Sequence, residues 1–247
     1  MYYFISPHLD DAVLSAGGLI TYLKDKGKVK IITIFTKTSA KISKPIKEFV
    51  RSCNHSNSKD LFREREKEDK KLCHYLKIGY LHLGFSDALW RDGYDSMKDI
   101  FEAKINSTKK EEDLEKSIIK KLKKIIKNTK NTTIFAPLSI GNHIDHRIVN
   151  KICRENYTNV IYWEDYPYNL KSSLSEELVK KNSLLYFEFN KNLDTKDNLI
   201  KFYKSQIPTL FEDKPINLKK EKYYLRQDLY DNLESNLSHK SKDLSSL

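Results

Sequence analysis

Glycine, proline and cysteine are scarce in this chain, and long apolar runs are missing. The 247 residues include only seven glycines, six prolines and three cysteines. We find no run of about 18 apolar residues, so we expect no membrane span. The sequence opens on strand-like residues without a basic leader, so we expect no signal peptide.

The number and spacing of the cysteines argue against disulfide bonds and against a zinc site made of cysteines. Cys53, Cys73 and Cys153 are scattered, odd in number and form no CxxC pair. A disulfide framework and a cysteine zinc site are therefore both disfavoured. Free thiols of this kind are typical of a reducing compartment, which predicts a cytoplasmic protein.

The charge is strongly positive but evenly mixed. Hydrophobic residues make up 39% of the chain, charged residues 32%, and the net charge is +11. Most of the cations are lysines that alternate with glutamates along predicted helices, and no nucleic-acid-binding motif is present. The charge therefore favours an anionic small molecule, such as a phosphorylated or nucleotide-linked sugar, over DNA or RNA. The oligomeric state cannot be read from the sequence.

Strand-like and helical patterns alternate through the first two thirds of the chain. Such alternation predicts an α/β fold with a mostly parallel sheet. An irregular C-terminal extension follows, in which 184–189 reads as a strand, 194–204 as a helix and 223–229 as a short apolar piece. The earlier predicted strands are 2–6, 29–35, 79–85, 132–137 and 160–163, and the main predicted helices are 14–26, 60–76, 111–127 and 146–156.

The same patterns suggest one domain with uneven parts. We expect a single domain over residues 1–230, made of a motif-bearing core at 1–168 and the extension at 169–230. Residues 231–247 are rich in Ser, Asn, Asp and Lys, which predicts a flexible tail. Residues 36–59 are polar and weakly patterned, which predicts a long loop that acts as a lid or is disordered.

The first strand ends in a dense cluster of polar groups. Pro7 stops the strand, so His8, Asp10 and Asp11 should lie at its carboxyl end, where ligands bind in open α/β sheets. An imidazole and a carboxylate suit zinc, and Asp10 would stay free to act as a base. The alternative is that the aspartates only cap the next helix.

A second cluster of the same kind lies far along the chain. The strand 134–137 runs into Gly141 and then into His143, Asp145 and His146. Two histidines three residues apart would share one face of a helix. Two strand ends that both carry His and Asp predict a metal site assembled at the edge of the sheet.

The two clusters together resemble a known family. The PHxDD turn followed by AVLSAGG, with the later GNHIDH, is similar to the LmbE-like, or PIG-L, zinc-dependent N-deacetylases. The resemblance implies a Rossmann-like three-layer fold and removal of an N-acetyl group from an amino sugar or sugar conjugate. It covers roughly residues 1–170.

The resemblance also implies roles for the clustered residues. His8, Asp11 and His146 would hold one zinc ion per chain, with ferrous iron as the alternative metal, and would leave a position open for water. Asp10 would be the general base. His143, when protonated, would stabilise the oxyanion, and Asp145 would orient or charge that histidine.

Three further segments are expected to bind the substrate. The family has an Arg-x-x-Glu in the helix 60–76, which Arg65 matches with Glu68, although Arg63 with Glu66 offers the same spacing. The strand end Leu-Gly-Phe-Ser-Asp is also similar to the family and would bring further polar groups to the site. These are Asp87, Arg91 and Asp92. Ordinary surface charge and loop ion pairs are the alternative interpretation.

The turn after the fifth strand is the third such segment. Glu164 and Asp165 are flanked by aromatic residues, which suits recognition of a sugar. The alternative is a simple strand-terminating turn set by Pro167.

The chain departs from the family pattern without losing a ligand. Leu9 and Ile144 stand where proline is frequent, and Ala12 stands where many members have glutamate. Gly141 stands where some members have a tyrosine. If that tyrosine holds the oxyanion, another group must do so here, and the candidates are Tyr166, Tyr168 and Arg91.

Two functions compete with the deacetylase hypothesis. One is a non-catalytic module that binds a sugar or nucleotide on the same fold. The complete set of ligands with a spare acid argues against it, because a binding module needs no base. The other is nucleic-acid binding, which only the charge suggests.

Overall fold

The molecule is built around one seven-stranded sheet. The structure, a computed structural model, describes residues 1–105, 108–127, 129, 131–173, 183–211, 216, 220–227 and 229. Within these residues the strands are β1 (Tyr2–Ser6), β2 (Val29–Lys37), β3 (Gly79–Ser86), β4 (Thr133–Pro137), β5 (Val160–Trp163), β6 (Leu184–Phe189) and β7 (Glu221–Arg226). Their spatial order is β3-β2-β1-β4-β5-β7-β6.

The strand order places the two motif loops side by side. β1 pairs in parallel with both β2 and β4. The chain therefore winds outward in both directions from β1, and the loops that follow β1 and β4 meet at this switch point. The predicted α/β fold with a mostly parallel sheet is confirmed, since only β7 runs antiparallel to its neighbours.

Helices cover both faces of the sheet. In β1 successive side chains enter opposite faces, so Phe4 packs in one apolar cluster and Ile5 in the other. The sheet is thus the middle of three layers. The described α-helices are α1 (Asp11–Lys24), α2 (Lys44–Ser52), α3 (Ser58–Leu76), α4 (Met97–Glu102), α5 (Lys109–Ile125), α6 (Ile144–Asn156), α7 (Leu193–Ile200) and α8 (Ile207–Phe211).

The prediction of a long loop at 36–59 is wrong. β2 continues to Lys37, and α2 occupies much of the remainder. Ser43 caps α2 by accepting a hydrogen bond from the backbone N–H of Ile46 at 3.4 Å, and Pro45 lies in the first turn, where a missing N–H costs nothing. Ile46 and Val50 are buried at helical spacing, so the helix packs by a narrow apolar stripe.

The C-terminal extension completes the sheet. The predicted strand at 184–189 is confirmed as β6, and the apolar piece expected at 223–229 is the strand β7, which lies between β5 and β6. The predicted tail at 231–247 lies outside the described residues, and the proposed division at residue 168 stays a prediction.

A buried ion pair joins the extension to α1. The helix is kinked at Ala16, so that backbone N–H groups after the kink lack helical partners. Glu221 accepts hydrogen bonds from the N–H groups of Gly18 at 2.8 Å and Leu19 at 3.0 Å. Its carboxylate also lies 3.1 Å from the Nζ of Lys196, which donates to the carbonyl of Ser15. The kink is therefore capped by a residue some two hundred positions away in the chain.

No described helix combines the length and apolar character needed to cross a bilayer.

Candidate metal centre

The turn after β1 is held by its own side chains. The Ser6 hydroxyl donates to the His8 carbonyl at 2.6 Å and accepts from the N–H of Ala12 at 3.0 Å. Asp10 stands at the N-cap of α1, yet its carboxylate makes no capping bond to the helix. For this residue simple helix capping, the alternative left open by the sequence, does not describe the structure.

Three side chains from the two motif loops converge. One donor atom each from His8, Asp11 and His146 lies within 4.8 Å of the other two. The Asp11 Oδ2 is 3.0 Å from the His8 Nδ1 and 3.2 Å from the His146 Nε2. That Nε2 is buried and makes no hydrogen bond to the described residues. An unpartnered imidazole nitrogen facing a carboxylate is what a divalent cation would complete, so this donor set fits one.

Asp165 fixes the orientation of His146. Its Oδ1 lies 2.7 Å from the His146 Nδ1, and its Oδ2 accepts from the N–H of Ile140 at 2.8 Å. Burial disfavours the charged imidazole, but Asp11 and Asp165 outweigh it and raise the pKa of His146 to about 9. The structure therefore places Asp165 behind the histidine, where it turns the Nε2 toward the centre. The sequence suggested that Asp165 contacts a substrate, whereas in the structure it contacts His146.

Asp145 plays a similar part for His8. Its Oδ2 is 3.1 Å from the His8 Nε2 and accepts from the N–H of Ala88, and its Oδ1 is 2.7 Å from the Arg91 Nη1. The sequence predicted that Asp145 orients or charges His143. The Asp145 carboxylate contacts His8, whereas its backbone N–H donates to the His143 Nδ1. His8, His143 and Asp145 could also surround a cation, but both oxygens of Asp145 already have protein partners.

His143 is held by the backbone rather than by a carboxylate. Its Nδ1 accepts from the N–H of Asp145 at 3.2 Å, which puts the proton of a neutral ring on Nε2. Burial, with the nearby His8 and His146, holds the pKa of His143 well below its usual value. This lowered pKa favours a neutral imidazole, which can donate through Nε2, over the protonated ring considered from the sequence.

Asp10 remains available beside the ligands. It is buried, lines the cavity, and its Oδ1 lies 3.3 Å from the Nη2 of Arg65. Burial raises the pKa of Asp10, and the Arg65 guanidinium opposes this by favouring the carboxylate. Arg65 is thus at the centre, whereas Arg63 is exposed and pairs with Asp60. The structure favours Arg65 over Arg63 of the two spacings.

The other predicted substrate residues are dispersed. Asp87 lines the cavity, with its Oδ2 3.5 Å from the His8 Nε2. Arg91 lies beneath Asp145 and also donates to the Ser86 carbonyl. Asp92 is 77% exposed and pairs with Lys110, and Glu164 accepts from the Tyr224 hydroxyl at 2.8 Å. Only Asp87 of these four lines the cavity.

The cavity itself has a polar floor and apolar walls. It measures about 100 Å³ and has Asp10, Asp11 and His143 at its floor. The walls come from α2, α4 and α8. The first lies in the segment 36–59 that was considered as a lid, and the sequence connected neither of the other two with function. Phe49, Phe101 and Leu210 are their apolar contributions.

Glu68 helps to position the wall formed by α8 and the residue before it. Its carboxylate accepts from the Ser205 N–H at 2.8 Å and from the Ser205 hydroxyl at 2.6 Å. The following Gln206, Thr209 and Leu210 line the cavity. Arg65 and Glu68, one helical turn apart on α3, therefore serve the same site from two sides. The Arg-x-x-Glu spacing was the signal for both, but nothing in the sequence pointed to residues 206–210.

Comparisons with known proteins identify the family of this chain. The family PIG-L, described as GlcNAc-PI de-N-acetylase, matches residues 3–157. The 2'-N-acetylparomamine deacetylase of Streptomyces fradiae is 24% identical over 169 residues. That match covers 66% of this chain and spans 56% of the length of the relative.

Solved structures share the fold beyond the motif-bearing part. A deacetylase of the teicoplanin biosynthesis pathway, in its bog complex, is 23% identical and superimposes with a TM-score of 0.73 over 92% of this chain and 98% of that one. The zinc inhibited form of teicoplanin deacetylase Orf2 gives 22% identity and a TM-score of 0.72 with the same coverage. At this identity the likeness shows the fold. With a family match over more than half its length, this chain belongs to the PIG-L family of de-N-acetylases.

Proposed function

We propose that this chain is a zinc-dependent amidase that removes the N-acetyl group from an amino sugar or a sugar conjugate. The observation that carries the proposal is the convergence of donor atoms from His8, Asp11 and His146, of which the His146 Nε2 makes no hydrogen bond to the described residues. Asp10 lies beside them and pairs with Arg65. Two imidazoles and one carboxylate form a ligand set typical of catalytic zinc. Family membership and the N-acetylparomamine deacetylase relative support a substrate of this class.

The bound metal would lower the pKa of water and polarise the acetyl carbonyl. The protein supplies the proton transfers. Asp10 accepts the proton of the attacking water and returns it to the departing amine. Its contact with Arg65 favours the ionised carboxylate and opposes the effect of burial, which raises the pKa of Asp10.

The neutral His143 donates from Nε2 to the carbonyl oxygen as negative charge develops there. The bond between its Nδ1 and the Asp145 backbone fixes this tautomer. The apolar walls lower the polarity around the cavity, which strengthens each of these polar contacts.

The proposal is tested by measuring release of amine and acetate. The purified protein is incubated with N-acetylglucosamine, its alkyl glycosides, N-acetylated aminoglycosides and nucleotide-linked N-acetyl sugars. We expect acetate and primary amine in equal amounts, loss of both after treatment with a chelator, and recovery on addition of zinc. His146→Gln should lose metal and activity, whereas the exposed His74→Gln should keep both.

Two results would contradict the proposal. Tight binding of an N-acetyl sugar without acetate release would favour the non-catalytic module. Full activity after the metal has been removed would contradict the metal-dependent mechanism.

A further inference from the structure

A glycine and a tyrosine meet at the edge of the metal cavity. Gly141 has φ of +85°, and a Cβ built there would lie 2.7 Å from the Cδ1 of Tyr168 and 2.8 Å from its Cβ and Cγ. Contacts this short are not found between real side chains, so both the backbone and the available space require glycine at this position. The absence of a side chain at 141 is what lets the ring of Tyr168 lie against this loop.

The loop that carries Tyr168 is tied to the metal centre. Asp165 binds His146 and the backbone of Ile140, and its carbonyl accepts from the N–H of Asn169 at 2.9 Å. The Tyr168 ring stands edge-on to the His146 ring, with centroids 5.3 Å apart. The side chain lines the same cavity as Asp10, Asp11 and His143.

The Tyr168 hydroxyl is a donor that lacks an acceptor. Among the described residues none accepts a hydrogen bond from it. Tyr168 is half-buried and lines the cavity, so a ligand held there can supply the acceptor that the protein does not.

The other two candidates for holding the oxyanion, Tyr166 and Arg91, lie elsewhere in the structure. Tyr166 is 4% exposed and packs against Phe211 in a separate apolar cluster. The Arg91 Nη1 is occupied by Asp145 and by the Ser86 carbonyl. Neither residue lines the cavity, whereas Tyr168 does.

We propose that Tyr168 is a catalytic residue whose hydroxyl donates a hydrogen bond to the carbonyl oxygen of the scissile amide and to the oxyanion that forms when water adds. This assignment rests on the proposed deacetylase function. Together with Nε2 of His143, the hydroxyl would give the developing negative charge two protein donors, as in other oxyanion sites. Gly141 is then a positioning residue, because it acts only by letting the Tyr168 ring approach.

The test compares Tyr168→Phe with the zinc-loaded native protein. We expect kcat to fall about 10²–10³-fold, the usual effect of losing one oxyanion donor, with little change in KM or in bound zinc. Tyr157→Phe is the control, because the Tyr157 hydroxyl makes no hydrogen bond to the described residues and lies outside the cavity. It should leave kcat unchanged. An unchanged kcat for Tyr168→Phe would overturn the assignment while the deacetylase function stands.

A second readout does not depend on turnover. Acetate, whose carboxylate resembles the oxyanion, is titrated into the zinc-loaded proteins by calorimetry. We expect weaker acetate binding for Tyr168→Phe and for Gly141→Ala, but native binding for Tyr157→Phe. If the native protein cleaved no N-acetyl sugar while Tyr168→Phe still lost acetate affinity, the proposed function would fail and the placement of the hydroxyl would survive. Equal acetate affinity in all variants would contradict the assignment.

Discussion

The motif-bearing strands and the C-terminal extension reach the same cavity by different means. The first part supplies polar groups from the turn after β1 and from the first turns of α1 and α6, through His8, Asp10, Asp11 and His146. The extension supplies packing and capping, through Glu221 at the kink of α1 and through Ser205 bound to Glu68.

Reactive residues and supporting residues thus leave different patterns in the sequence. Reactive groups must lie within a few ångströms of one another, so they cluster at strand ends and form visible motifs. Supporting contacts need only one partner each, and that partner can come from any part of the chain. The extension is therefore part of the site although it carries no motif.

The largest effect on kcat is expected from a substitution in the motif-bearing part that leaves the metal ligands in place. Asp10→Asn keeps the size of the side chain but removes the base, so kcat should fall about 10³-fold. Metal content, measured by atomic absorption, should not change. Asp25→Asn, an exposed aspartate just after α1, is the control and should behave as the native protein. Loss of metal in Asp10→Asn would show that Asp10 is a ligand instead.

The next effect concerns the support provided by the extension. Glu221→Gln leaves the buried Lys196 ammonium without its countercharge, so the free energy of unfolding should fall by about 3–5 kcal/mol. Urea denaturation measures this loss. The protein that stays folded at low temperature should keep native kcat. A large fall in kcat per folded molecule would mean that the ion pair also acts in catalysis, and the division described above would fail.

A smaller effect should appear where the two parts touch at the cavity wall. Glu68→Gln removes the charge from the contacts with Ser205, which should lower the free energy of unfolding by about 1–2 kcal/mol. The wall at 206–210 would be held less firmly, so KM should rise more than kcat falls. Glu66→Gln, on the exposed face of the same helix, should change neither constant. A pure loss of kcat in Glu68→Gln would contradict a role in positioning the wall.

The smallest effects separate the predicted substrate residues. Asp87→Asn should lower kcat/KM about tenfold, the equivalent of one hydrogen bond to a charged group, because Asp87 lines the cavity. Asp92→Asn should leave kcat/KM unchanged, because Asp92 is exposed and pairs only with Lys110. Steady-state kinetics on one substrate compares the two. Equal losses would mean that the cavity is wider than the structure shows.

The sequence predicted the parts that local patterns determine. The alternating strands and helices gave the parallel sheet, because continuous β-branched runs such as 29–35 suit buried strands. The two His and Asp clusters were expected together because the ends of parallel strands share one edge of the sheet. Lys77, with φ of 56°, closes α3 directly after the predicted last residue, Leu76.

The remaining features depend on contacts that a local pattern does not contain. α2 was missed because only a narrow stripe of its surface, with Ile46 and Val50, is buried. Asp165 was expected to bind a substrate but contacts His146, and the Asp145 carboxylate contacts His8, because which histidine each carboxylate meets is decided by the packing of separate segments. Asp92 follows a turn that aims it outward, and spacing along the chain cannot show this.

The position of β7 has a consequence for how the protein is made. Among the described strands β7 comes last in the sequence, yet it lies between β5 and β6. As the chain leaves the ribosome, β1 to β5 can pair in turn, while β6 has no partner and the edge of β5 stays open. The backbone N–H groups at the kink of α1 also lack their acceptor until Glu221 has been synthesised. A nascent chain that has not yet released β7 therefore holds its catalytic residues in an unfinished sheet, and chaperone contacts should concentrate on that interval of synthesis.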